Sequence, residues 1–213
     1  MPISVGDVNR TLRARLWPAL RIQGFDQRTD RIAWRYWDEG VDLVEVCSVG
    51  RLGDAVGCTS ISFDAKVAAA PTWFRASGEL PQKEGRPRPH YWHCGPLKLA
   101  LTKTLSQPWF TPFPRPLGQT GPMGLHEAGL KPVLRGDVHD RPDIWFVRED
   151  GSNLEQVVDD LGRVVEAIGL PFLVRMHDAA TIAQMAADGG LSTSRGSPMA
   201  VKVSHAAATR LGL

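Results

Sequence analysis

The stretch IAWRYWDEGVDLVEVCSV, Ile32 to Val49, decides the fold. Branched and aromatic side chains crowd both of its halves, and these are the residue types that fit a pleated, half-buried surface. The polar break at Asp38-Glu39-Gly40 makes the pair a hairpin. In the second half Val41, Leu43 and Cys47 share one face by parity, while Asp42, Val44 and Val46 share the other. Such imperfect alternation suits a sheet with one face packed on helices and one face partly covered.

Further elements follow on either side. VGCTSISF (Val56 to Phe63) is a third strand candidate, with Cys58 as a small buried residue. Upstream, Asp7 caps a helix of about four turns that carries Val8, Leu12, Leu16, Ala19 and Leu20 and stops before Gly24. Downstream, Ser152 and Glu155 stand in capping-box spacing. After them Leu154, Val157, Val158, Leu161, Val164, Val165 and Ile168 recur at helical steps until Gly169. Pro171 to Met176 reads as a short apolar link, and Asp178 caps a last helix that ends at Gly189-Gly190. LKPVLRG and DIWFV, between Leu130 and Val147, have strand character.

Two regions rich in proline, 76–96 and 108–124, interrupt this order as long irregular insertions. The expectation is an α+β protein, an antiparallel sheet packed against an N-terminal helix and two C-terminal helices. It occupies one domain over residues 1–190, followed by a tail over 191–213.

Composition narrows the function classes. With 213 residues, 43% hydrophobic and 23% charged, the chain can bury a substantial core. A net charge of +2 names no partner by itself. Charge is nevertheless segregated: Arg10, Arg13, Arg15 and Arg21 fall in one acid-free run, and Glu149, Asp150, Glu155, Asp159 and Asp160 in one base-free run. These are either two surfaces of opposite sign or two helices in contact. Three widely spaced cysteines, no leader-like start and no long apolar stretch lead us to expect a cytoplasmic protein away from membranes.

LWPALRIQGFDQRTDRIAWRY resembles the opening of the bacterial family called domain of unknown function 4304. The matching residues are Leu16, Leu20, Gly24, Phe25, Arg35 and Tyr36. Gly57 to Val67 resembles the strand that follows, and His93-Cys94 a site before that family's middle section. DIWFV, the helix from Asn153 and LPFL (Leu170 to Leu173) resemble its end. The segment PWFTPFPRP departs from the pattern. The resemblance implies an α+β fold and carries no activity.

Four clusters invite chemistry. In HYWHC, His90 and His93 lie three apart, but a zinc site needs a third ligand from Cys94, His126, Asp137 or His139. Cys94 as a nucleophile needs a base, and an adjacent His93 in extended chain points away from it; a thiol packed at the start of KLAL is the simpler reading. GDVHDRPD supplies Asp137, His139, Asp140 and Asp143, which with His126 would suit a metal-dependent hydrolase or nuclease. The same composition also makes a polar turn. GRLGDAVG lacks the Lys-Ser/Thr of a phosphate loop.

The fourth cluster is the aromatic and basic middle of the chain. Lys83, Arg86, Arg88, His90, Lys98 and Lys103 alternate with Tyr91 and Trp92, a mixture that suits phosphates and bases. Together with Trp109, Phe113 and Arg115 it also suits a protein partner, since aromatics and arginine concentrate interface energy. No catalytic set assembles in the sequence and no cofactor motif appears. The expectation is non-catalytic recognition of a protein through Arg86, Arg88, Trp92, Trp109, Phe113 and Arg115. A nucleic-acid-binding module on the same strip is the first alternative, and a hydrolase using His126, Asp137, His139 and Asp143 the second.

Overall fold

The structure, a computed structural model, describes residues 2–50, 58–76, 78–105, 142–191 and 197–212. The fold is α+β. Strands β1 (Gln27–Arg28), β2 (Ile32–Trp37), β3 (Gly40–Ser48), β4 (Phe63–Pro71) and β7 (Lys98–Ala100) form one sheet in the order β1-β2-β3-β4-β7. The pairs β1/β2, β2/β3 and β4/β7 are antiparallel. Strands β5 (Gln82–Lys83) and β6 (Arg86–Pro87) make a separate two-stranded ribbon.

The chain divides into two compact units, each drawn from three chain segments. The first comprises Met1–Pro18, Val46–Ala65 and Thr102–Val164, and the second Ala19–Glu45, Lys66–Leu101 and Val165–Leu213.

In the first unit, helix α1 (Val5–Thr11) starts three residues earlier than the sequence suggested. Ser4 is the cap, and Asp7 sits inside the helix, closing a reciprocal box with the Ser4 backbone N–H at 2.9 Å. The buried stripe Val8, Leu12, Leu16 advances in strict steps of four. Four residues overshoot the 3.6-residue turn, and the π turn at Leu12–Leu16 takes up the excess. Helix α2 (Trp17–Ile22) continues the run.

Helix α3 (Leu154–Val164) faces the first helix, and the Gly162 Cβ position lies 3.9 Å from Leu16 Cδ1. The segregated charges meet here. Arg15 Nε and Nη2 each donate to Asp159 at 2.6 Å, and Nη1 to Glu155 at 3.2 Å.

The third strand expected at Val56 to Phe63 is displaced. Among its described residues, Thr59 and Ser62 turn the chain, with Thr59 Oγ1 donating to the Val147 carbonyl at 2.6 Å and Val147 N–H to Ser62 Oγ at 3.0 Å. Hydroxyl groups there supplement a few backbone bonds, such as Val49 N–H to the Ser62 carbonyl at 2.9 Å, and no regular strand forms among the described residues 58–62. The strand is β4, whose four alanines gave no strand signal. DIWFV contributes only a bridge, Trp145 to Phe63. LKPVLRG lies outside the described residues.

In the second unit, a second π turn, Val165–Gly169, joins α3 to α4 (Leu170–Arg175), so the apolar link at Pro171 is helical. The π turn absorbs the proline, which has no N–H to donate. It also rotates the stripe. Ile168 turns outward at 44% exposure, and Gly169, Leu173 and Met176 are buried in its place. Asp178 caps α5 (Ala179–Asp188), and Gly189 ends it in a left-handed conformation. Within the tail expected over 191–213, Ser197 caps α6 (Pro198–Leu211), which packs on α5.

Candidate aromatic and basic recognition surface

One face of the sheet in the second unit carries Ile32, Trp34, Val41, Leu43, Ala68 and Ala70, and Leu80 and Cys94 pack onto it. Tyr36 and Tyr91 lie at its margin. The register makes this inevitable, because Trp34 opposes Leu43 and Tyr36 opposes Val41, and same-parity neighbours share a face. Gly40 holds the hairpin tight: a Cβ there would lie 2.7 Å from Trp37 and 2.8 Å from the Ala70 carbonyl.

The segment that covers this face is the proline-rich insertion at 76–96. Glu84 (φ 54°) and Gly85 (φ 74°) form the turn of the β5/β6 ribbon, both in the positive-φ region that primed hairpin turns require. Arg88 N–H donates to the Pro81 carbonyl at 2.7 Å and extends the ribbon. Two side chains clip it to the sheet, Trp34 Nε1 to the Pro89 carbonyl at 2.8 Å and Tyr36 hydroxyl to the Pro87 carbonyl at 3.0 Å.

Beyond Pro89 the chain makes a 3-10 turn, Tyr91–Cys94. Buried Glu45 organises its start, with Oε1 3.0 Å from His90 Nδ1 and Oε2 accepting the Tyr91 N–H at 2.9 Å. Gly95 ends the turn at φ 59°, ψ −123°, where a Cβ would collide with Ala76. The turn is thereby fixed at both ends. It presents Trp92, which lies flat on His90 with centroids 4.1 Å apart and planes 7° from parallel. Trp92 is 52% exposed and the only aromatic among the exposed large hydrophobic residues described.

The cations sort themselves on the neighbouring rings. Lys66 Nζ and Lys98 Nζ stand 4.6 and 5.3 Å from the Tyr91 centroid, Arg86 lies 5.3 Å from Tyr36, and Arg88 5.5 Å from Trp34. Arg88 is largely committed inward: its side chain is 14% exposed, and Nη2 donates to Gln27 Oε1 at 3.0 Å. Arg86 is exposed.

Of the residues the sequence singled out, the structure therefore brings Arg86, Arg88 and Trp92 to one region. Trp109, Phe113, Arg115, His126, Asp137, His139 and Asp140 lie outside the described residues, and Asp143 alone of the acidic cluster lies within them. Neither imidazole offers its Nδ1 to a metal: that of His90 lies 3.0 Å from Glu45, and that of His93 accepts the backbone N–H of His90 at 3.0 Å. No group of three metal-binding side chains occurs among the described residues. Burial pushes the Cys94 thiol up to about 12, and Lys98 only partly opposes that shift. A thiol so held is protonated near neutral pH and is a core side chain, not a nucleophile.

Sequence reasoning missed Glu45, Lys66 and Tyr36 as parts of this surface. Their signal was parity: Glu45 shares the face of Val41 and Leu43 on β3. It also missed a buried ionic group on the opposite face, where Asp42 is fully buried. Asp42 Oδ2 accepts from Arg35 Nε at 3.0 Å and Nη2 at 2.7 Å, and His177 Nε2 lies 2.9 Å away. Trp37 stacks on His177 at 4.1 Å. The cross-strand pairing of Arg35 with Asp42 was legible from the hairpin register, whereas His177 arrives from 135 residues away.

None of the three cysteines is in a disulfide, and no helix among the described residues is long and apolar enough to cross a membrane. The chain matches no protein-family model, no curated protein and no solved structure.

Proposed function

We propose that this protein is a non-catalytic recognition protein that binds another protein through the surface around Trp92. The observation that carries this reading is the half-exposed Trp92, held rigidly on His90 by a turn that buried Glu45 and Gly95 fix at its two ends. A pre-ordered indole loses little entropy on docking and offers a large contact area. Lys98 supplies charge beside Tyr91, which adjoins Trp92 edge-on, and Arg86 beside Tyr36.

Nucleic acid is favoured less by the same geometry. The faces of Tyr91, Tyr36 and Trp34 are occupied by the protein's own cations, so fewer rings remain for stacking bases. Membership of the domain of unknown function 4304 family and a cytoplasmic location belong to this proposal and add no activity to it.

The test is affinity capture from lysate of the source cell on the immobilised full chain, at low and high salt and with or without nuclease. A protein retained at high salt after nuclease treatment, and lost on Trp92→Ala, is the expected result. Nucleic acid released by salt and retained by the Trp92→Ala variant would overturn the reading.

A further inference from the structure

Resting on the reading of this surface as a protein-binding one, we infer that the partner presents an acidic extended segment that adds to the sheet as a strand along β7. The β7 strand pairs with β4 on one side only, with Lys66 opposite Ala100, Val67 opposite Leu99 and Ala68 opposite Lys98. The Ala69 N–H donates to the Leu97 carbonyl at 2.9 Å, which marks Ala69/Leu97 as a hydrogen-bonded pair. Antiparallel pairs alternate, so Leu99 spends its backbone on β4, while Lys98 and Ala100 direct theirs away from it. Two N–H and two C=O groups thus line an outer edge that no described strand occupies.

An edge of this kind is a template for another strand, and proteins that do not use one blunt or cover it. Here the blunting is selective. Lys98 and Lys66 stand on the same face of the sheet, flanking Tyr91, and no described carboxylate lies in salt-bridge range of Lys98. A second copy of this chain would bring its own Lys98 to that face and be repelled. A strand with glutamate or aspartate opposite Lys98 would be attracted. Tyr91 meets Trp92 edge-on at 5.3 Å, so the edge is continuous with the exposed indole.

The probe is a fluorescein-labelled pentapeptide alternating valine and glutamate, titrated into the full chain and followed by anisotropy. Its valine-lysine counterpart and two forms N-methylated on alternate amides, one in each register, serve as controls. Ala100→Pro removes an outward N–H that β4 does not use, at an exposed edge position where proline is tolerated.

The acidic peptide is expected to bind, with at least tenfold weaker binding for the lysine peptide, for one of the two N-methylation registers and for Ala100→Pro. The N-methylated peptides test the edge without altering the protein. Equal binding of all the peptides, no binding of the acidic one, or its displacement by single-stranded oligonucleotide would overturn the inference. The two levels separate cleanly. Partner capture that depends on Trp92 yet survives Ala100→Pro sinks the edge alone, whereas acidic-peptide binding to the edge together with partner capture that is unchanged by Trp92→Ala sinks the Trp92 reading and leaves the edge.

Discussion

At the scale of single residues, charge placed in apolar strands does most of the specifying. Asp42 and Glu45 are three apart on β3 and face opposite ways, each buried and each answered by cationic or N–H donors. Removing a buried charge from such a group leaves its partners uncompensated. Asp42→Asn is therefore expected to cost about 3 kcal/mol in urea unfolding, since Arg35 and His177 lose their common counter-charge. An unchanged midpoint would show that the group contributes nothing to stability.

Asp160 plays a comparable part in the first unit. Burial raises its carboxyl, but bonds from Thr104 Oγ1 and N–H, Trp145 Nε1 and Arg163 outweigh that and hold it below the usual carboxylate range. A depressed folded-state value contributes stability above the unfolded value, about 4, and the contribution is lost as pH falls through the folded one. The urea midpoint should therefore drop as pH falls below about 4, the unfolded value. Asp160→Asn should start lower and drop less, and parallel curves for the two proteins would contradict this account.

Residues of this kind were only partly legible. The partnership of Arg15 with Glu155 and Asp159 was foreshadowed by the segregated charges, because opposite runs on two amphipathic helices have few other solutions. Asp160 was counted in an acidic run and gave no sign of burial, since its donors come from Thr104 and Trp145, far away in sequence. Glu84 in a positive-φ turn was equally hidden, because the sequence signal for such turns is Asn, Asp or Gly.

Among elements, the hairpin β2/β3 and the helices α3 and α5 could be read from periodicity, and α5 also from its Asp178 cap, whereas the Ser152 hydroxyl accepts from Arg148 and caps nothing described in α3. What periodicity misjudged were interruptions in it. Both π turns shift a stripe by one residue, which put Ile168 outside and carried the helix past Gly169 and Pro171. Strand β4 was hidden by Ala68, Ala69 and Ala70, small residues buried on both faces, where neighbours approach as closely as the Gly169 Cβ position 3.0 Å from Val67. Helix α6 was hidden by weak amphipathicity, as only Ala200, Val203 and Ala207 are buried.

For the molecule as a whole, each compact unit is assembled from three separate chain segments, so no contiguous fragment contains either. Helix α6 belongs to the second unit, where Lys202 Nζ donates to the Arg75 carbonyl at 2.9 Å and Arg210 pairs with Glu39. Truncation after Gly190 should then lower stability by at least about 2 kcal/mol, from the lost burial of Val203 and its alanine neighbours. A truncated chain with an unaltered urea midpoint would show that α6 is dispensable. The candidate surface was half legible at this scale. The alternation of aromatics with cations at 83–98 located it, while the sheet face beneath, and the acid that fixes its turn, required the fold.

The central claim is that Trp92 anchors a protein partner, and the most direct measurement compares wild type, Trp92→Phe and Trp92→Ala in quantitative partner capture at high salt after nuclease treatment. Trp92 is exposed, so all three should fold alike by circular dichroism and melting. We expect capture to fall at least tenfold for Trp92→Ala, a loss typical of an interface hot spot of about 2 kcal/mol, with Trp92→Phe intermediate. Equal capture by all three folded proteins would contradict the account and remove Trp92 as the anchor.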